Sequence, residues 1–274
     1  MLPIELCIEV AGARAADVIQ TAVAVEQAGF AGVTFSDELC DVAGNGTWSH
    51  EPWTLMAATA AVTERIRIGS LVLNVANRDP GTTAVAAASL QDLARGRLWL
   101  GMGAGTDRTS PFARDQLAFG RPPAGAAARR EAVRSHFAAI RRIWDNTTDG
   151  FLRPDPLPPL ILGAFGPKTA HLAGEVADGI ACPLDGFGEY ARPLEELVEI
   201  ARRSFSEAGR TGSFTVLAHT GPYDSLEDPQ WKPGGSAHDR LAAAGVDRLE
   251  LFVRPSAAAV AQAAEHLQVD AVAR

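Results

Sequence analysis

Eight times along this chain, a short run of aliphatic and β-branched residues gives way to a segment with helical spacing. That rhythm limits the available folds more than any other feature of the 274 residues. The strand-like runs are Ile4–Val10, Val33–Phe35, Ile66–Leu73, Arg97–Met102, Leu160–Leu162, Gly179–Ala181, Phe214–Ala218 and Arg248–Val253. The helical segments are Ala16–Ala28, Pro52–Ala61, Thr82–Leu93, Ala126–Trp144, Pro167–Ala177, Pro193–Ala208, Ser236–Ala244 and Ala257–Leu267. Gly29 closes the first helix as a C-terminal glycine does. The proline-rich connector Pro154–Pro159 is expected to be extended. No composition shift marks a linker, and no short repeat interrupts the pattern. The prediction is a single (β/α)8 TIM barrel spanning residues 1–274.

Composition narrows the partners. Hydrophobic residues make up 47% of the chain, enough for a large core, and the net charge is −8. Such a balance argues against nucleic acid and acidic membranes as partners, since both need clustered positive charge. No apolar run reaches the length of about 18 residues that a membrane span requires. Cys7, Cys40 and Cys182 lack metal-ligand spacing and read as small thiols in a reducing, cytoplasmic setting. The expected partner is a small molecule.

A barrel of this kind carries its site in the loops after the strands. There the sequence places Ser36-Asp37-Glu38, the glycine-rich stretch 43–50 with Trp48 and His50, and Asn74, Asn77 and Arg78. Further on come Gly103-Ala104-Gly105-Thr106-Asp107, the turn Gly163-Ala164-Phe165-Gly166-Pro167-Lys168, and His219. The Gly163–Lys168 turn leads from a strand into a helix that opens with proline, whose missing N–H costs nothing at that position. Its glycines allow close approach, and the helix start offers amide donors and a positive dipole end to an anion. The same segment also fits an ordinary strand–helix connection. Asp107–Gly125 is expected to be a long stretch without regular structure, a pattern associated with function or mobility.

Three segments in order resemble the luciferase-like flavin and deazaflavin oxidoreductases: Ala28-Gly29-Phe30-Ala31-Gly32-Val33-Thr34-Phe35-Ser36-Asp37; the stretch Ala57–Gly69 followed by Arg78, Pro80 and Gly96–Gly105; and Gly163–Gly179. The likeness covers about residues 16–180. It implies a TIM barrel with a tricyclic redox cofactor in its C-terminal mouth. The GPK-x-x-x-LAGE-x-ADG form of the third segment looks like the branch that uses coenzyme F420; the FMN branch more often has a serine in that turn. The Ala-, Gly- and Arg-rich composition is similar to that of actinobacterial members.

Carried over residue by residue, the resemblance implies that Ala164, Phe165, Gly166 and Pro167 line the cofactor phosphate, where Lys168 adds a cation. Gly103, Ala104 and Gly105 would pass near its ring or ribityl chain. A non-proline cis peptide behind the ring maps to Leu71–Val72, with Asn74 just beyond, and Asp37 lies near the ring. Arg108, Arg114 and Arg121 would suit an acidic cofactor tail.

The sequence departs from the pattern at two places. Many F420 enzymes have Asp-His after the second strand, where this chain has Asp37-Glu38, and a sugar-phosphate dehydrogenase branch has an acid where this chain has Thr106. Asp37 and Glu38 are therefore the catalytic candidates, with Glu38 supplying the proton that accompanies hydride transfer and Asp107 as a second source. Glu38 also fits a solvated loop carboxylate or a partner for Arg78. Trp48, His50, Asp107 and His219 are substrate-contact candidates; Trp48 and His50 fit a lid or a surface loop, and His219 fits a substrate contact or a satisfied core histidine.

The expected activity is F420-dependent reduction of an activated C=C or C=N bond. The alternatives are an FMN-dependent monooxygenase and a catalytically silent cofactor-binding member. No metal site is expected, and the resemblance is compatible with a homodimer packed through barrel helices.

Overall fold

In a computed structural model, which describes residues 2–40, 46–146, 148–184, 192–221 and 226–269, the chain forms one closed parallel barrel with helices outside. The strands are β1 Ile4–Ile8, β2 Gly32–Phe35, β3 Arg67–Ser70, β4 Leu73–Asn74, β5 Leu100–Gly103, β6 Leu160–Gly163, β7 Gly179–Pro183, β8 Thr215–His219 and β9 Arg248–Val253. They lie in the order β3-β2-β1-β9-β8-β7-β6-β5-β4. Closure comes from the bridge between Ile68 and Leu98, where Trp99 N–H donates to the Ile68 carbonyl at 3.0 Å.

β3 and β4 are two halves of the expected third strand, which breaks where the Leu71–Val72 peptide is cis. The ring therefore has eight positions, as expected. The fourth strand begins at Leu100 rather than Arg97, because residues 97–99 meet β3 only through that bridge.

The helices are α1 Ala15–Ala28, α2 Pro52–Val62, α3 Pro80–Leu93, α4 Arg114–Ala118, α5 Ala126–Asp145, α6 Pro167–Val176, α7 Leu194–Glu207, α8 Ser236–Ala243 and α9 Ala257–Leu267. Their starts follow local chemistry. Asp79 caps α3 by accepting from Thr82 N–H at 2.7 Å, with Pro80 in the first turn, so this helix starts two residues before the expected Thr82. Gly29 ends α1 in the left-handed region at φ 91°. The stretch 107–125 is not structureless: it holds a 3-10 turn at Pro111–Ala113 and the short α4.

Two packed regions share the sheet. Ile4, Leu6, Val33, Ile68, Leu100, Leu162, Val216 and Leu251 face the helices and form the main core. Cys7, Leu71, Trp99, Ile161, Ala181 and Leu217 form a smaller cluster inside the barrel. Every strand is thus buried on both faces, as parallel sheets require.

Candidate active site

The loops after β2, β3/β4, β5, β6 and β8 meet at the C-terminal mouth. Asp37, just past β2, is 6% exposed. Its Oδ2 accepts from Asn74 N–H at 2.7 Å, and its Oδ1 accepts from Arg78 Nη2. Arg78 reaches further to Glu51 at 3.1 Å. Burial pushes the Asp37 carboxyl up to about 7, against the opposing pull of Arg78 and the Asn74 amide. Glu38 is half-buried and unpaired with Arg78, which spends its contacts on Asp37 and Glu51. Burial raises Glu38 above the usual carboxylate range, opposed by a hydrogen bond from Ser36. Both acids can therefore hold protons nearer neutrality than free carboxylates. Asp107 differs. It is exposed, its Oδ1 accepts from Thr109 N–H at 2.9 Å, and its pKa is lowered by its bonds to Thr109. Those bonds make it a turn-forming carboxylate and a poor proton source.

The cis Leu71–Val72 step turns Val72 toward the barrel interior. A Cβ on Gly103 would stand 2.8 Å from Val72 Cγ2, and one on Gly163 would stand 3.0 Å from the same methyl. On Gly101 it would meet the Ser70 carbonyl at 2.0 Å and Val72 Cγ1 at 3.0 Å. These three glycines form the cradle for Val72. Asn74 follows, and its side chain donates to Gln116 on α4 at 3.0 Å while accepting from Ala76 N–H. Gly105, at φ +66°, packs on this Asn74–Gln116 pair. Asn77 donates to Asp115 at 2.8 Å, so two side chains of α4 fasten the 107–125 segment to the mouth. The sequence reading missed Asp115, Gln116 and Glu51. Only the run of polar residues within 114–116 hinted at the first two, and no local pattern marked Glu51.

At the turn after β6, Ala164 is fully buried and its N–H binds the Ala181 carbonyl at 2.9 Å. Gly166 caps α6, and Pro167 occupies its first turn. The Thr169 and Ala170 amides fold back onto the Gly166 carbonyl, whereas the Gly166 and Lys168 amides donate to no described residue. A Cβ on Gly166 would meet nothing within 4 Å, so this turn is an open cradle. Lys168 is exposed beside it.

Phe165 reaches across to His219 at the end of β8, edge-on with centroids 6.1 Å apart. His219 Nδ1 lies 3.0 Å from the Thr220 carbonyl, which can only accept, so the ring carries its proton there and leaves Nε2 as an acceptor. Burial keeps this histidine neutral. Trp48 and His50 stack edge-on at 5.0 Å, and His50 Nε2 contacts the Ala13 carbonyl at 3.0 Å, tying that loop to the one after β1. Residues 43–45 of the same stretch lie outside the described residues.

The mouth therefore combines an open turn at a helix start, two carboxyl groups able to hold protons and a neutral histidine. Comparison with known proteins places this architecture in a family: the luciferase-like monooxygenase profile matches residues 3–228, and the chain belongs to that family. It is 35% identical over 182 residues to an F420-dependent glucose-6-phosphate dehydrogenase of Beutenbergia cavernae, covering 61% of this chain and 52% of that enzyme. A protein of the same name from Amycolatopsis mediterranei is 26% identical over 282 residues, covering 94% of this chain and 79% of the relative. This chain thus spans about half the length of the first relative and most of the second. The structure of an F420-dependent secondary alcohol dehydrogenase in complex with an F420-acetone adduct superposes with a TM-score of 0.78 at 16% identity, covering 98% of both chains. No described helix is long and apolar enough to cross a membrane.

Proposed function

We propose that the protein is an F420-dependent oxidoreductase that moves hydride between the deazaflavin C5 and a small organic substrate, in the direction that reduces an activated C=C or C=N bond. The observation that carries this proposal is the placement of Asp37 and Glu38, both raised by burial, at the same mouth as the open Gly166 cradle. The names of the two dehydrogenase relatives support the choice of cofactor.

The residues present fit a phosphodiester-bearing cofactor. Gly166 leaves room for an oxygen, the Gly166 and Lys168 amides have donors to spare, the α6 dipole favours negative charge, and Lys168 adds a cation. Ala164, Phe165 and Pro167 shape the rest of the turn, and Gly103, Ala104 and Gly105 form the adjoining wall. When bound, the deazaflavin supplies a carbon that gives or takes hydride.

The protein's own task is positioning and proton control. Asp37 is held from two sides by Asn74 N–H and Arg78, so it sets the geometry of the rim. Glu38 has no such clamp, and it holds the proton that must reach the substrate atom made negative when its neighbour accepts hydride. Neutral His219, with Nε2 as acceptor, suits a donor group on the substrate. Trp48 and His50, tied to the loop after β1, would meet a substrate from that side of the rim.

The test has two stages. Titration with F420 and FMN in parallel should show binding of F420 in preference to FMN. Reduced F420 should then be oxidised by members of a panel of enones, imines and ketones, and Glu38→Gln should lose most turnover while keeping its F420 affinity. FMN preference with oxygen uptake would make the protein a monooxygenase. F420 binding with no turnover across the panel, run also with alcohols in the reverse direction, would make it a silent binding member.

A further inference from the structure

The interiors of such barrels are ordinarily filled by layers of branched aliphatic side chains. Here the inner wall below the mouth carries Glu5 and Thr34, Arg67 and Trp99, Arg248 and Glu250. Register brings them together: Glu5 pairs with Glu250 across β1 and β9, Glu5 with Gly32 across β1 and β2, and Gly32 with Arg67 across β2 and β3. Glu5 and Glu250 are both fully buried. Glu5 Oε1 accepts from Arg67 Nε at 2.6 Å and lies 3.6 Å from Arg248 Nη1.

Six further polar atoms are orphans. Both oxygens of Glu250, Oε2 of Glu5, the Thr34 hydroxyl, Nη2 of Arg67 and Nε1 of Trp99 are buried without a hydrogen-bond partner. They are donors and acceptors in a matched set, all on one inner surface, yet they do not reach one another directly. Unpaired buried groups cost free energy, and water bridges such groups wherever two to four polar partners surround it. The charges point the same way. Glu5 already takes both arginines, so an ionised Glu250 would stand as a second buried carboxylate beside the first.

We propose that the barrel interior below the mouth is a water-binding site in which Glu250 is a neutral carboxylic acid, linked through ordered water to Glu5, Thr34, Arg67 and Trp99. The polar and titratable groups around Glu250 come from every wall of the chamber. They are Glu5 and Cys7 from β1, Thr34 from β2, Arg67 from β3, Trp99 before β5, His219 from β8, and Asp247 and Arg248 beside Glu250 itself. Burial and Glu5 favour the neutral acid, and Arg248 alone pulls against it. Cys7 faces the same chamber, and burial and Glu250 together hold its thiol protonated. The site lies one strand from His219, whose register partner is Glu250, so it forms the floor beneath the mouth. It does not depend on which cofactor or substrate binds above.

Three measurements on the apo protein test this. Infrared spectra at pH 7 should show a protonated-carboxyl C=O band that is missing from Glu250→Gln. Glutamine mimics the neutral acid, so the variant should also gain stability relative to the parent as pH rises. Glu250's folded pKa lies above its unfolded value, so the parent loses stability between those two values and the variant does not. The ratio of their folding constants should grow about tenfold per pH unit in that window and stay constant with pH below the unfolded value, near pH 4. Parallel pH–stability curves with no lost acid band would overturn the neutral Glu250. Water-deuteron relaxation dispersion on the parent alone should report long-lived internal water, and its absence would overturn the hydrated site even if the variant failed to fold.

Discussion

The contact between Val72 and Gly103 offers a test of how the mouth is built. In Gly103→Ala the new methyl would sit 2.8 Å from Val72 Cγ2, with Val72 Cβ next at 4.0 Å. Carbon atoms pack best at about 3.5–4.0 Å, so one of the two must move by more than half an ångström. Overpacking of this kind costs about 1–3 kcal/mol. Val72→Ala removes both methyls and leaves a gap, and at about 0.5–1.5 kcal/mol per methyl it also costs about 1–3 kcal/mol. In the double variant the alanine methyl enters the space that valine vacated. Its destabilisation should fall short of the sum of the two single variants by at least about 1 kcal/mol.

Denaturant unfolding checks this, read as shifts in midpoint at constant m. In thermal unfolding, 1 kcal/mol corresponds to about 2–4 °C for a domain near this size. Gly101→Ala is the control. Its Cβ would meet the backbone oxygen of Ser70 at 2.0 Å, which no change at Val72 can relieve, so that pair should show no rescue. Additivity of Gly103→Ala and Val72→Ala within about 0.5 kcal/mol would refute the cradle.

Gly166→Leu should weaken F420 binding by tenfold or more, as read by fluorescence titration, because the added side chain fills an open turn. The residue has an extended backbone at φ −155° and nothing within 4 Å of its Cβ, so stability should change by less than about 0.5 kcal/mol. Unchanged affinity would count against the phosphate cradle. Far from the mouth, Glu26 accepts from the backbone amides of Glu64, Arg65 and Ile66 through its carboxylate, and those bonds hold its pKa below the usual range. Glu26→Gln should cost about 1–3 kcal/mol at pH 7. Because the folded pKa is depressed, the parent's advantage is full above the unfolded value near 4.3 and fades as pH falls through the folded one, which a pH series of melting curves would show.

Much of the scaffold was legible because its signals are local. Strand and helix periodicities alternate, Pro52 and Pro167 start helices, and Gly29 stops one. The resemblance located the broken third strand at Leu71–Val72. What stayed hidden depends on distant residues. The Asp37–Arg78–Glu51 network joins the two ends of the loop between β2 and α2 to the loop before α3, so no spacing announces it. The α4 helix has five residues and no apolar stripe, and its order comes from Asn74 and Asn77 on another loop. Ile4-Glu5-Leu6 and Leu249-Glu250-Leu251 alternate like strands with one wet face, but closing the sheet turns that face into the barrel interior.

The glycines of the mouth show why composition alone could not separate architecture from ligand binding. Gly101, Gly103, Gly163 and Gly166 read alike in the sequence, as places where something approaches the backbone closely. At Gly101 and Gly103 the space a side chain would take is already filled from within, by Val72 together with Ser70 and Trp99; at Gly163 it is filled by Val72 and the Met102 carbonyl. Only Gly166 faces emptiness, at the start of a helix with spare amide donors. A side chain introduced at either of the cradle positions Gly101 and Gly103 should therefore damage the folded state first, whereas one at Gly166 should damage only what binds there. Finding that split between stability and affinity would mark the turn, rather than the glycine-rich strand beside it, as the ligand's principal hold on this barrel.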